Sequence, residues 1–279
     1  MPGTLFVVAT PIGNLEDMTF RAVRMLKEVA LIACEDTRQT RKLTEHFGIP
    51  TRLTSYHEHN ERDRTAELLA LLAAGDSIAL VSDAGTPLIS DPGFRLVEAA
   101  IAAGITVTPI PGATAALAAL SAAGLDSASF RFAGFLPPKL NARRKAIEAW
   151  QDAPETVILY EAPHRILETL EDLAAVLGPE RPVVVARELT KLHEEFLRGP
   201  VETVRAALAG RPSIKGEITL LVAPPSPAPA PVAEESQMRA EVEALIAAGE
   251  PRMDAIKRVA HRYGLGKRDV YRMIESAPR

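Results

Sequence analysis

The sequence predicts an α/β protein made of two α/β units, followed by a small helical module. Three observations carry that reading. Over the first 110 residues, short β-branched runs alternate with stretches of helical apolar spacing, the rhythm of β-α-β units around a largely parallel sheet with helices on both faces. After Pro111 the strand-like runs crowd closer together, which suits a mixed sheet. Beyond the proline-rich PPSPAPAP at 224–231 no strand pattern returns.

The strands expected in the first unit are LFVVA (5–9), ALIACE (30–35), TRLTSY (51–56), SIALVSD (77–83) and ITVTPI (105–110). Between them, TFRAVRMLKEV, ERDRTAELLALLAAG and FRLVEAAIAAG have helical spacing. Leu68, Leu69, Leu71 and Leu72 give the second of these a broad apolar face, and Gly75 is placed to cap it. The second unit opens with a helix of small residues, ATAALAALSAAG. A strand SFRFAGF (129–135), a basic helix ARRKAIEAW (142–150), a strand TVILYEA (156–162) and a helix HRILETLEDLAAVLG (164–178) follow. Three further strands are PVVVARELT (182–190), EEFLRG (194–199) and EITLLVA (217–223). The expected boundaries are 1–111 and 112–223 for the two units, 224–233 for a semi-rigid Pro-rich linker, and 234–279 for the helical module.

In that module a helix, the short turn Tyr263-Gly264-Leu265-Gly266 and another helix have helix-turn-helix spacing. Lys257, Arg258, Arg262, Lys267, Arg268 and Arg272 face a single acid, Asp269, in the same stretch. The whole chain carries a net charge of −4, which argues against strong non-specific nucleic-acid binding by the average surface. A basic module on a linker concentrates cations where nucleic acid can meet them; a solvated helix face, or a cap packed on the core or on a second copy, is the alternative.

Composition bounds the rest. With 279 residues, 47% hydrophobic and 24% charged, the chain fits one large or two ordinary globular domains. No apolar run reaches about 18 residues, so no membrane span is expected. Nor does the N-terminus carry a signal-peptide pattern, so the expected compartment is the cytoplasm. A single cysteine, Cys34, excludes an internal disulfide and, within LIACED, reads as a buried inert thiol.

Two loops follow strands: ATPIGNLED (9–17) and the end of SIALVSDAGTPLISDPG (77–93). Carboxyl ends of parallel strands are where open α/β sheets bind ligands. Neither loop carries a phosphate-binding glycine motif, and no lysine follows either. Asp83, Asp91, Ser82 and Thr86 surround the second loop instead, which suits a ligand with an amino group or a sulfonium. Turn chemistry alone also accounts for the glycines and prolines. His57 and His59 bracket Glu58 without further ligands nearby in sequence, so no metal site is expected.

TPIGNL, VSDAGTP, PIPGATAALAALSAAGL (109–125), VILYEA and GEITLLV resemble the tetrapyrrole (corrin/porphyrin) methylase family. ACEDTRQTRKL, YHEHNE, VSDAGTPLISDPG, GFLPP, YEAPHRI and ARELTK-x-HEE are similar to its ribosomal RNA small subunit methyltransferase I subfamily. The resemblance covers 4–223. It implies a two-domain fold with S-adenosylmethionine in the cleft between domains, methylation of a cytidine ribose 2′-oxygen in the decoding region of small-subunit RNA, and a homodimer. The substrate is that RNA, naked or in the assembled subunit. The cofactor contacts implied are Pro11 and Gly13, then Asp83, Ala84, Gly85 and Thr86, then Thr114 and Ala115. Tyr160, Leu189 and Ile218 would line the adenosyl end.

A ribose hydroxyl is a weak acid, so a base or a cation near it would help transfer. Glu35, Asp36 and Lys191 are the candidates, with Glu161 and Glu188 as alternatives. Arg38, Arg41 and Lys42 after CED, Arg143 and Arg144 after GFLPP, His164 and Arg165 in PHRI, and the six cations of the module are candidate RNA contacts. Two other functions compete: methylation of a tetrapyrrole or another acidic small molecule, and a non-catalytic role in ribosome assembly.

Overall fold

A computed structural model describes residues 1–225 and 235–275. The chain divides into two compact units, Met1–Pro225 and Ser226–Arg279. Among the described residues no helix is long and apolar enough to cross a membrane.

The larger unit begins with β1 (Thr4–Val8), α1 (Phe20–Glu28), β2 (Leu31–Cys34), α2 (Thr37–His46), β3 (Leu53–Ser55), α3 (Glu61–Ala74), β4 (Ile78–Val81), α4 (Phe94–Ala102) and β5 (Thr106–Ile110). The five strands form one sheet, β3-β2-β4-β1-β5, in which every pairing is parallel. Side chains alternate between sheet faces along a strand, and the burial follows. Ala33, Ile78 and Leu80 pack with Leu68 and Leu72 of α3 and Leu96 of α4. Ile32, Cys34, Ala79 and Val81 pack on the other face with Ala22 and Leu26 of α1. Continuous apolar runs such as IALV are what a sheet covered on both faces requires. Gly75 does end α3: it sits at φ 107° and its N–H reaches the Leu71 carbonyl, a left-handed position that a side chain would strain. Cys34 is fully buried, and burial raises its thiol pKa.

The chain continues through α5 (Ala115–Ala123), β6 (Phe130–Phe135), α6 (Leu140–Glu148), β7 (Thr156–Glu161), α7 (Ile166–Leu177), β8 (Pro182–Arg187), β9 (Glu195–Pro200), α8 (Val201–Ala209) and β10 (Ile218–Val222). These strands form a second, mixed sheet, β6-β7-β10-β8-β9. Only β6 and β7 pair in parallel; β10 runs antiparallel to β7 and β8, and β9 antiparallel to β8. One face packs on α6, α7 and α8 through Ile147, Leu170 and Val204. The other face meets α5, whose Ala116, Ala119 and Ala123 bring its backbone close to Ile158, Val184 and Leu221.

Two expectations need correction. The strand expected over 182–190 stops at Arg187, because Glu188 and Thr190 take φ of 53° and 67°, outside extended backbone. Helix α8 is absent from the sequence reading, although Val201, Val204 and Leu208 have helical spacing and are buried.

The helical unit comprises α9 (Glu235–Ala247), α10 (Arg252–Arg262) and α11 (Lys267–Glu275). Met238, Val242, Ala255, Ile256, Val259, Ala260 and Val270 make its own core. All six of its candidate RNA-binding cations are exposed. The expected linker lies outside the described residues except for Pro224 and Pro225.

Candidate active site

Parallel strands deliver their C-terminal loops to one sheet edge, and here those loops are stitched together. Thr10 and Gly85 exchange both backbone hydrogen bonds, Thr10 N–H to Gly85 O at 2.8 Å and Gly85 N–H to Thr10 O at 3.1 Å. The buried Thr10 hydroxyl donates to Ser82 O at 3.2 Å. The Asp36 N–H donates to Asp83 Oδ1 at 3.0 Å, and the Thr86 hydroxyl to Ala113 O at 3.2 Å. Loops after β1, β2, β4 and β5 thus form one connected rim. The second sheet completes it, because β10 begins where β7 and β8 end: Ile218 is paired with Glu161 and Arg187.

Two adjoining cavities open at this rim. One, of about 430 Å³, is lined by Pro11, Gly13, Gln39, Lys42, Asp83 and Lys191 among others. The second, of about 400 Å³, takes in Ala84, Gly85, Thr86, Ala115, Tyr160, Leu189 and Ile218. Ile12, Ala84 and Glu217 line both. The expected cofactor residues are therefore divided between two adjoining spaces. Thr114 lines neither; it is the N-cap of α5, makes no side-chain cap bond, and stands beside the Tyr160 hydroxyl.

The second cavity joins apolar walls to acids. Ile12, Leu189 and Ile218 face the rings of Phe135 and Tyr160, whose centroids are 5.7 Å apart. Burial raises the Tyr160 and Asp91 pKa values; a Ser82 hydrogen bond opposes the shift at Asp91, and the Asp83 charge adds to it. Flat apolar walls suit a heteroaromatic ring, and carboxylates suit an amino group or a sulfonium. The chemistry of this donor set thus fits S-adenosylmethionine. The backbone is strained alongside it: Leu88 and Ser90 have φ of 73° and 68°, conformations held only where the surroundings over-determine them.

Lys191 projects into the first cavity. Its Nζ lies 2.8 Å from Glu188 Oε1 and 3.2 Å from Glu217 Oε2. Burial alone would lower its pKa, but hydrogen bonds to Glu188 and Glu217 outweigh that and raise it. Lys191 is therefore a cation and not a base. Gly13 is needed beside it, because a Cβ there would stand 2.5 Å from Lys191 Cγ.

The acidic candidates separate by environment. Asp36 caps α2 by accepting from the Arg38 N–H at 2.8 Å and is bound by the Arg38 guanidinium. Those hydrogen bonds hold its pKa at about 2, which makes it a weak base. Glu35 is half-buried; burial first, then the charges of Asp83, Asp91, Glu58 and Asp36, raise its pKa. Neither Glu35 nor Asp36 lines either of these two cavities. Glu161 is spent on structure, accepting from Ala162 N–H, Arg165 and Thr169.

Among the candidate RNA contacts, Arg38, Arg41, Lys42 and His164 are exposed, and Lys42 borders the first cavity. Arg144 is half-exposed and donates to Asp172 at 2.6 Å. Two others need correction. Arg143 is 3% exposed and bridges α6 to Asp172 on α7 at 2.6 Å. Arg165 braces Glu161 and the Leu136 carbonyl. Both are turned inward to satisfy buried acceptors.

Sequence reasoning missed Glu217. It looked to carboxyl ends of strands, whereas Glu217 precedes the amino end of an antiparallel strand. The signal was the GE before ITLLV.

Replacing Lys191 by methionine frees the Glu217 carboxylate that it holds at 3.2 Å; cofactor affinity is expected to stay unchanged and single-turnover methyl transfer to slow by roughly 100-fold, the loss that a misplacement of about 1 Å can cause. A near-normal rate would take Lys191 out of the chemistry.

Residues 4–205 match the family described as Tetrapyrrole (Corrin/Porphyrin) Methylases. The chain is 51% identical over 271 residues to the ribosomal RNA small subunit methyltransferase I of Synechocystis sp., covering 97% of both chains. It is 52% identical over 272 residues to the protein of that name from Halalkalibacterium halodurans, covering 96% of this chain and 93% of the relative. Among solved structures, a uroporphyrin-III C-methyl transferase from Thermus thermophilus complexed with S-adenosyl homocysteine superposes with a TM-score of 0.54 at 20% identity, over 78% of this chain and 96% of the other. That last likeness concerns the fold.

Proposed function

Since the chain belongs to the ribosomal RNA small subunit methyltransferase I group of the tetrapyrrole (corrin/porphyrin) methylase family, and so is an S-adenosylmethionine-dependent methyltransferase of small-subunit ribosomal RNA, we propose that it methylates a cytidine ribose 2′-oxygen in the decoding region. The observation that carries this reading is the pair of adjoining cavities. One has the aromatic and acidic walls that suit the methyl donor. The other opens between Lys42 and Lys191, where a phosphate-linked ribose finds cations. When bound, S-adenosylmethionine supplies an activated methyl group on sulfur. The protein holds donor and acceptor in line, and such orientation is worth up to roughly 7–11 kcal/mol. Lys191 stands at the wall of the first cavity, with its cation held between Glu188 and Glu217.

Mapping methylated riboses in small-subunit RNA, with and without the protein, tests the proposal. A new 2′-O-methyl cytidine is expected, and a methyl on a base would overturn it. Running the reaction on naked RNA and on assembled subunits separates the two forms of substrate. The tetrapyrrole reading is weaker, because the relatives near 50% identity carry the ribosomal RNA name. The resemblance further supports a homodimer working in the cytoplasm, where its substrate is made; sedimentation of the purified protein checks the first.

The helical unit is proposed to dock RNA. Its six exposed cations include Arg258 and Arg262, which are tied to Glu250 and Glu241. Phosphate contacts release counterions, so log affinity should fall with log salt by about 0.7 per contact on single strands. Deletion from residue 226 onward is expected to flatten that slope and weaken RNA binding while cofactor affinity holds. Equal affinity and slope in the truncated protein would exclude docking. A truncated protein that instead loses stability or its dimer would mark the unit as a cap.

A further inference from the structure

The reaction proposed above needs a proton acceptor, and the residues singled out in the sequence do not supply one. Asp36 is held by Arg38, Lys191 is already protonated, and Glu35 lines neither cavity. The acceptor has to stand where the methyl crosses from donor to ribose, which is where the two cavities meet. Three residues line both: Ile12, Ala84 and Glu217. Only one of them can take a proton.

We propose that Glu217 is the catalytic base, with Lys191 orienting its carboxylate at the junction of the two cavities. This rests on the methyltransferase reading and names the residue that reading lacks. Four features support it. The Glu217 side chain is 74% exposed, open to an incoming ribose. Its Oε2 lies 3.2 Å from Lys191 Nζ, so one oxygen is held while the other can face the substrate. Its backbone is fixed, donating from N–H to Glu188 Oε1 at 3.1 Å and accepting at its carbonyl from Glu188 N–H at 2.9 Å. Gly216, at φ +92°, lets the Glu188 side chain pack where a Cβ would stand. The other acids near the junction are engaged. Glu188 accepts from both Lys191 and Glu217 N–H and lines neither cavity. Asp83 lines only the first cavity and accepts from Asp36 N–H, Asp91 lines only the second and is hydrogen-bonded to Ser82, and Glu161 is bound by Arg165 and Thr169.

In the step, the ribose 2′-oxygen forms a bond to the methyl carbon as the carbon–sulfur bond breaks and its electron pair returns to sulfur. The hydroxyl becomes strongly acidic as that bond forms. Its proton passes to Glu217 and then to water, so the positive charge lost by the sulfonium leaves as the proton. A carboxylate suffices because it accepts late, and general-base assistance of this kind contributes roughly 100- to 10,000-fold.

The test is Glu217→Gln, which keeps shape and hydrogen bonding and removes basicity. With saturating S-adenosylmethionine and small-subunit RNA, single-turnover transfer is expected to fall about 100-fold or more, while affinity for cofactor and for RNA stays as in the wild type. Glu217→Asp should recover part of the rate. The charged groups around Glu217 are Lys191 and Glu188 from the β8–β9 loop, Asp83 and Lys42 in the first cavity, and Asp91 and Glu161 in the second; all are unchanged by the substitution. A glutamine variant with the wild-type rate overturns the assignment, and one that loses cofactor affinity makes Glu217 a cofactor ligand instead. Wild-type protein that transfers no methyl to the RNA overturns the underlying reading along with it.

Discussion

Valine in place of Gly85 is expected to weaken S-adenosylmethionine binding by roughly 100-fold, equivalent to about 2.7 kcal/mol. Two effects act together. Gly85 lines the second cavity with φ +80°, in the left-handed region, where a β-branched residue is a genuine outlier. Its Cβ would stand in contact with Ile12 Cγ2, at 3.4 Å, and the further methyl groups of valine add bulk beside the wall that both cavities share. Alanine at this position carries the backbone strain with far less bulk, and should lose less affinity than valine. Part of the strain also reaches stability, at about 1–3 kcal/mol for such a backbone. Calorimetric titration of the cofactor gives the answer directly. Unchanged affinity in the valine variant would remove this loop from the site.

Asp172→Ala should destabilise the larger unit by about 3–5 kcal/mol, the range for breaking a buried ion pair from one side. Asp172 is 1% exposed and accepts from Arg143 Nε and Arg144 Nε, each at 2.6 Å. Without it, the buried Arg143 guanidinium keeps the Pro138 carbonyl and a Glu168 contact at 3.4 Å, too little to replace a carboxylate. Arg144 is partly solvated and adds little to the loss. Denaturant midpoints measure the change, and a loss under about 1 kcal/mol would place the pair among solvated ones. The same geometry separates structure from RNA contact. Arg143→Met should lower stability and leave the salt dependence of RNA binding untouched.

Much of this molecule was readable in its residues. Strand runs and helical spacings placed the ten strands within a few residues, and Gly75 marked the end of α3. The edge that holds the cavities followed from parallel topology, and the loop motifs supplied the cofactor. What escaped was long-range pairing. Arg143, Arg144 and Lys145 read as a basic run, yet the partner that turns Arg143 inward is Asp172, distant in sequence and adjacent only after α6 and α7 pack. Asp36 looked like a free carboxylate because its capping of α2 is a matter of backbone angle. Glu188 and Thr190 ended β8 early through positive φ, which residue type does not announce. Glu217 became visible only once an antiparallel strand brought its amino end to the carboxyl ends of two neighbours.

The mutual hydrogen bonds between Thr10 and Gly85 act as a tie-beam across the mouth of the molecule. Thr10 borders the first cavity and Gly85 the second, so backbone bonds couple one residue of each rim. In the proposed reaction, donor and acceptor would meet along a rim that backbone bonds tie at Thr10 and Gly85, opposite walls that the second sheet supplies through Lys191, Tyr160 and Glu217.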